Sequence, residues 1–501
     1  MSEAKDVHFV DTTFRDGSQS LWAMGIRHGQ MEAIAGDMDR AGYEVIEIPG
    51  NAVHFKKMIR DLKENPWDTM HMLAEKIPNT PKSCMSGGFN LNPLGRPTPP
   101  ALGELFWTHQ AEIGALQRVQ MMSNTADQMK LMFPALIPFY RSIGIKFALA
   151  IAYCISPRHT DDLFAEQTRR AAALKPDVIY LKDQGGLLTL DRVRTLVPMM
   201  MEICEGIPFE LHSHCTTGMA PMIYLEALEL GVETLHTGIP PLAEGSAQPS
   251  VLNVAHNARL KGFSPLVDET LLQSVSERFY GLAKEDDMVV GEHLEYDYGQ
   301  FIHQIPGGVI SNLRFQLAEI GLGERLDEVI EESIRIREEL GYPFMITPYS
   351  QHMCTQAALN VSTGERYSVV IDDLIRFAHG TYGEDSGEPW MDQDLKDRLL
   401  ADPRAAELAP PDGTQDEPSV KEYRDSLGLG GASDEELLMH AIMQGDKEID
   451  AMRAAGPPKQ YLGAALPLKK LMRELNKHPS VRYVQVQRGD NSLLLRNAAS
   501  G

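Results

Sequence analysis

The sequence predicts an α/β fold: a (β/α)8 barrel over residues 1–300, a mostly helical domain over 301–460 and a C-terminal extension over 461–501. Three observations carry that prediction. Over the first 250 residues, short β-branched or apolar runs alternate with longer stretches whose apolar residues recur at helical spacing. The runs number eight, which suits a closed parallel barrel better than an open doubly wound sheet, and no GxGxxG follows the first of them. The polar residues capable of chemistry fall at the C-terminal ends of these runs, the face on which such barrels carry their sites.

In chain order the strand candidates are VHFVDTTF (7–14), YEVIEIPG (43–50), KSCMSGGF (82–89) and LQRVQMMS (116–123). GIKFALAIAY (144–153), DVIYLKD (177–183), PFELHSHC (208–215) and ETLHTGIPP (233–241) complete the set. Between them GQMEAIAGDMDRAG, DLFAEQTRRAAALK and APMIYLEALELG show the period of helices that bury one face against a sheet. Beyond about residue 300 helical patterns dominate, in segments 323–341, 369–380 and 434–444. HQIPGGVISN (303–312) reads as a sharp Pro-Gly-Gly turn, and the Pro- and Asp-rich stretch 401–418 as a surface loop. VRYVQVQRGDNSLLLRN (481–497) is two short runs about a Gly-Asp turn, a β-hairpin.

Composition excludes several classes. With 47 Lys+Arg against 70 Asp+Glu the formal net charge is −23, an acidic surface that repels phosphate backbones, so no nucleic-acid partner is expected. No apolar run approaches the roughly 20 residues that span a bilayer. The N-terminus MSEAKDVHFVDTTF lacks a basic region followed by an apolar one, so it signals no secretion. Five scattered cysteines without a CxxC argue against a disulfide framework and fit a reducing, cytoplasmic setting.

The chemistry centres on His212-Ser213-His214. Alternate residues of a strand face the same way, so the two imidazoles are placed as two ligands of one metal would be. Alone such a pair more often marks two polar residues lining a barrel mouth. Asp16, after the first strand, and Lys182, at the end of the sixth, reach the same space and favour the metal. A carboxylate with two imidazoles suits Zn²⁺, Mn²⁺ or Co²⁺. An ammonium beside a divalent cation is repelled, which leaves Lys182 two roles: an ion pair with Asp183, the simpler reading, or carbamylation to an anionic oxygen ligand. Arg15, Gln19 and Arg118 form a polar cradle for a carboxylate substrate, guanidinium offering bidentate geometry, although single arginines more often make structural ion pairs. Thr347, directly before Pro348, reads on its own as a cap or turn residue.

Taken together, DTTFRDGSQS, YLKDQGGLL, ELHSHCTTG, HQIPGGVISNL and ITPYSQ occur in an order that resembles the carboxyltransferase component of biotin-dependent enzymes. Pyruvate carboxylase, the oxaloacetate decarboxylase α-subunit and the central subunit of transcarboxylase share it, over roughly residues 7–385. The resemblance implies a barrel followed by a helical funnel domain. It implies a metal held by Asp16, His212 and His214 with carbamylated Lys182 as N-carboxylysine, in place of the ion pair with Asp183. It implies 2-oxo-acid binding by Arg15, Gln19 and Arg118, and a proton shuttle at Thr347 between substrate and biotin. The activity implied is transfer of a carboxyl group between carboxybiotin and the enolate of an acid such as pyruvate, giving oxaloacetate. No Met-Lys-Met biotinylation motif is present, so biotin is expected in trans on a carboxyl carrier protein. A biotin carboxylase or second carboxyltransferase subunit, and a homodimer or higher oligomer, are the other expected partners.

Three departures surround the acceptor pocket. QRVQM stands where the family reads FRVFD, IPGNAVHF where it has a Trp-Gly-Gly-Ala segment, and GGFNLNPLGR where it reads RGxNLxGY. The rival reading is an aldol-type metal lyase or synthase, resembling hydroxymethylglutaryl-CoA lyase or isopropylmalate synthase. It shares the RDGSQ and HxH elements but not Lys182-Asp183 or the PGG and TPYSQ segments.

Overall fold

In a computed structural model the described residues are 4–92, 96–123, 128–319, 321–346, 349–383, 388–410, 418–461, 480–488 and 491–496, with positions 471, 475, 477 and 478. Eight strands follow the eight runs: β1 Asp6–Asp11, β2 Val45–Glu47, β3 Lys82–Met85, β4 Arg118–Ser123, β5 Lys146–Ala152, β6 Val178–Asp183, β7 Phe209–Ser213 and β8 Thr234–Thr237. Each is parallel to the next, and β1 pairs with both β8 and β2, which closes the barrel. Helices His28–Arg40, Asp161–Ala173 and Ala220–Glu229 lie where the 3.6-residue period puts them. β1 ends at Asp11, short of the expected Phe14. Its carboxylate accepts from the Thr13 N–H (3.2 Å) and hydroxyl (2.5 Å), and this bends the chain into a wide turn, Thr13–Gly17, that carries Arg15 and Asp16.

Alternation decides what fills the barrel. On β5 the alanines cluster with Tyr180 inside (Ala148, Ala150), while Phe147, Leu149 and Ile151 face the helices in the main core. Methyl-sized residues leave room that longer polar side chains from β4, β6 and β7 then occupy. Side chains from alternate strands stack in layers in such barrels. Here Lys182 and His212 are register partners on the neighbouring strands β6 and β7, with Tyr180 and Glu210 paired two residues beneath them.

The helical domain has its own core, built from Gly307–Glu319, Leu326–Glu339, Tyr349–Thr363, Asp372–Ala378 and Gln393–Leu400, and it docks at the end of β5 through Ala152 and Cys154. Gln304 fixes that seam, accepting from the Ile155 N–H at 3.0 Å and donating to the Ile155 carbonyl at 2.7 Å. Pro306-Gly307-Gly308 is more than a turn, because the helix Gly307–Glu319 starts within it. The stretch 401–418 holds a short helix, Ala405–Leu408, and 411–417 lie outside the described residues.

The helices Asp434–Met443 and Lys447–Ala455 pack elsewhere. Leu437, Leu438, Ile442 and Ile449 join the barrel's core, not that of the helical domain. Glu435 anchors them: its carbonyl accepts from Trp67 Nε1 at 3.1 Å, and its carboxylate sits 2.7 and 2.9 Å from His71 and His109. The hairpin is present as antiparallel strands Tyr483–Arg488 and Asn491–Arg496 with Val486 opposite Leu493. Among the described residues no helix is long and apolar enough to cross a membrane.

Candidate active site

The barrel brings Asp16, Lys182, His212 and His214 together at its C-terminal face. All are buried, at 0–7 % exposure. His212 Nε2 lies 3.4 Å from Asp16 Oδ2 and His214 Nε2 3.7 Å from Asp16 Oδ1. Among the described residues these three form the one group of His, Cys, Asp or Glu whose ligand atoms all lie within 4.8 Å of one another.

Lys182 does not pair with Asp183. Its Nζ donates to Asp16 Oδ2 at 3.2 Å. Asp183 turns away, accepting from the Leu187 and Leu188 N–H groups (2.8 and 2.9 Å) and the Ser213 hydroxyl (2.7 Å). It thereby holds the Gly185-Gly186 loop against the loop after β7. A Cβ on Gly186, whose φ is +63°, would collide with the His214 carbonyl and Thr216 hydroxyl, so the loop needs glycine there.

The electrostatics of the cluster are strained. Burial pushes the Asp16 carboxyl upward, but Arg15, Lys182 and the two histidines hold it well below the usual carboxylate range. Burial lowers Lys182 below the ordinary lysine range despite Asp16 beside it. It also lowers both histidines, so the imidazoles are neutral.

Neighbouring groups fix which nitrogen of each imidazole is free. His214 Nδ1 lies 2.7 Å from the Ser246 carbonyl, an acceptor only, so it carries the proton and Nε2 keeps its lone pair. The Thr12 hydroxyl lies 2.7 Å from the Gln248 side-chain oxygen and 3.0 Å from the Thr237 carbonyl, and the Gln248 amide nitrogen lies 3.2 Å from His212 Nε2 and 2.9 Å from His214 Nε2. Two lone pairs and a carboxylate therefore converge on one small space, a donor set that fits Zn²⁺, Mn²⁺ or Co²⁺.

The expected substrate cradle divides. Arg15 is at the site, with Nε donating to Glu47 Oε2 at 2.7 Å and Nη2 lying 2.9 Å from Asp16 Oδ2. Gln19 is exposed on the following helix. Arg118 lies inside the barrel at 4 % exposure, its two Nη groups donating to Glu210 Oε1 and Oε2 at 2.8 and 2.5 Å. Thr347 lies outside the described residues; Ile346 before it is buried, and the helix Tyr349–Thr363 begins just after it.

Sequence reasoning missed Glu47, Glu210, His236, Gln248 and His54. The first three are strand residues pointing inward, and alternation could have flagged Glu210, two residues before His212 in the same run. His54 sits in IPGNAVHF, a segment noted for its departure and not for its histidine. Its Nδ1 donates to Asn51 Oδ1 at 2.9 Å, its Nε2 is buried without a partner, and burial with the nearby Arg15 charge lowers its pKa to about 3.

A (β/α)8 barrel with such a buried cluster at its C-terminal face, capped by a helical domain, defines a class: barrel proteins whose candidate site, able to hold a metal ion, lies at the strand ends. Residues 301–479 match the family model described as a conserved carboxylase domain. The chain is 33% identical over 445 residues to a subunit of pyruvate carboxylase from Methanocaldococcus jannaschii, covering 87% of this chain and 76% of that one. It is 29% identical over 452 residues to the 2-oxoglutarate carboxylase large subunit of Hydrogenobacter thermophilus, covering 87% and 67%. Against the methylmalonyl-CoA carboxyltransferase 5S subunit of Propionibacterium freudenreichii the identity is 29% over 454 residues, covering 88% and 86%. The fold matches the carboxyl transferase domain from Rhizobium etli pyruvate carboxylase, solved with pyruvate, at a TM-score of 0.77 and 21% identity, covering 90% of this chain and 77% of that one. The chain belongs to the carboxyltransferase family of biotin-dependent carboxylases.

Proposed function

We propose that the protein moves a carboxyl group between carboxybiotin, held on a carrier outside these 501 residues, and the enolate of a 2-oxo acid such as pyruvate. The convergence of two imidazole lone pairs and the Asp16 carboxylate beside Lys182 is the observation that carries this reading. Asp16, His212 and His214 hold the divalent cation, which when bound supplies Lewis-acid stabilisation of the charge that develops on the oxo-acid oxygen.

Lys182 contributes as N-carboxylysine. A carbamate forms from a neutral amine and CO₂ with release of one proton, and burial favours the neutral amine. The same change replaces a cation next to Asp16 by an anion, so carbamylation and metal binding favour one another. Arg15 stabilises the enolate electrostatically, its charge fixed in place by Glu47 and so requiring no reorganisation during reaction. Thr347 passes a proton between the acceptor's methyl carbon and the biotin ureido nitrogen. The helical domain over the barrel mouth excludes water that would reprotonate the enolate.

The assembly includes a biotin carboxyl carrier protein, with a biotin carboxylase or a further carboxyltransferase subunit, around a homodimer or higher oligomer. Three relatives named as subunits support that. The test is exchange of the pyruvate methyl protons in D₂O, followed by proton NMR on metal-loaded protein. Exchange that His212→Ala abolishes is expected; no exchange by the loaded wild type would contradict an enolate acceptor of this kind.

A further inference from the structure

Beneath the metal ligands a chain of buried polar groups runs across the barrel interior. Arg118 on β4 donates both Nη groups to Glu210 on β7. His236 on β8 places Nε2 2.8 Å from Glu210 Oε2 and Nδ1 3.1 Å from His212 Nδ1. The His236 ring is stacked on Tyr180, with centroids 5.0 Å apart at 27°, and stands nearly perpendicular to His212 at 5.1 Å. His212 and His236 are 0 % exposed and Glu210 4 %.

The protons in this chain are determined by its ends. Glu210, gripped by a guanidinium, is an acceptor only, so His236 Nε2 carries a proton and donates it. The Gln248 amide nitrogen, 3.2 Å from His212 Nε2, faces it as a donor, in keeping with Nε2 as the acceptor nitrogen of that ring. His212 Nδ1 then carries the proton and donates to the lone pair of His236 Nδ1. Every contact from Arg118 to His212 is a donor facing an acceptor.

We infer that Glu210 and His236 are positioning residues for the metal centre, holding His212 in the Nδ1–H tautomer that presents Nε2 to the cation, with Arg118 as the counter-charge of this chain. The inference rests on the reading of Asp16, His212 and His214 as metal ligands. Carboxylate–histidine chains of this kind fix ring orientation, and their loss typically costs 10–100-fold in metal affinity.

The experiment uses the full chain, selectively ¹⁵N-labelled at histidine, with Zn²⁺ affinity measured against a competing chelator. Wild type is expected to show His212 protonated at Nδ1. His236→Phe keeps the ring and the Arg118–Glu210 pair but removes the acceptor; it is expected to bind Zn²⁺ about 10–100-fold more weakly and to populate the Nε2–H form. His236→Asn returns an acceptor oxygen at the Nδ1 position and is expected to recover most of that affinity, a rescue that packing alone would not give. Wild-type His212 protonated at Nε2, or unchanged Zn²⁺ affinity in His236→Phe, would overturn the inference. Wild type that takes up no divalent cation yet shows the Nδ1–H form would sink the metal reading and leave the tautomer chain standing.

Discussion

The pairing of Arg118 with Glu210 makes a quantitative claim that stability can test. Both side chains are 4–5 % exposed and meet through two hydrogen bonds, at 2.8 and 2.5 Å. Burial pulls the Glu210 carboxyl upward, but Arg118 and His236 bring it down to about 2. Taking one partner from a buried pair strands the other charge and costs about 3–5 kcal/mol. Glu210→Gln also turns an amide N–H toward groups that are themselves donors. Arg118→Met strands the carboxylate with His236 alone. The double variant removes both charges and lets the introduced amide oxygen accept from the His236 N–H, leaving chiefly the amide's own unpaired N–H groups, worth about 1–3 kcal/mol. The cycle therefore predicts that Arg118→Met/Glu210→Gln is more stable than either single variant, with a coupling of at least about 2 kcal/mol. Urea unfolding of all four proteins measures it. Additive single effects would show that Arg118 is not neutralised by Glu210.

Asp11, Asp16 and Leu438 each carry a further prediction. Burial raises the Asp11 carboxyl to about 8, so the folded state holds a proton that the unfolded chain releases above about pH 4. Stability is then lost as pH rises from about 4 to 8, by about 1.4 kcal/mol per pH unit from this group, and Asp11→Asn should flatten that slope, whereas parallel profiles would refute it. Asp16→Asn should abolish stoichiometric metal uptake by elemental analysis while preserving circular dichroism; full occupancy would remove Asp16 from the ligand set. Leu438→Ala, in the helix that Glu435 anchors on the barrel, should cost about 2–5 kcal/mol in unfolding, and a loss under about 1 kcal/mol would show that the helix is not part of the barrel's core.

The barrel was legible because its strands are short, β-branched and evenly interleaved with 3.6-period helices, and because Asp16, Lys182, His212 and His214 fall at strand ends. Topology alone then brings the four together. What escaped was pairing at long range. Arg118 reads in sequence as a lone cation, and only the fold places Glu210 of β7 across from it, 92 residues away in sequence. The same holds for Lys182, where the adjacent Asp183 is the obvious partner in sequence. Strand alternation sends that neighbour to the opposite face, and Asp16, 166 residues off, takes its place. The packing of 434–455 on the barrel was hidden too, because an amphipathic helix declares that it has a core-facing side, not which core it faces.

Carboxyl transfer through a metal- and Lys182-dependent site is tested by oxaloacetate decarboxylation with metal-analysed protein, with and without free biotin, beside Lys182→Ala. Decarboxylation that biotin stimulates and Lys182→Ala loses is the expected result. Turnover indifferent to both biotin and Lys182, or none from protein carrying a full complement of metal, would contradict it.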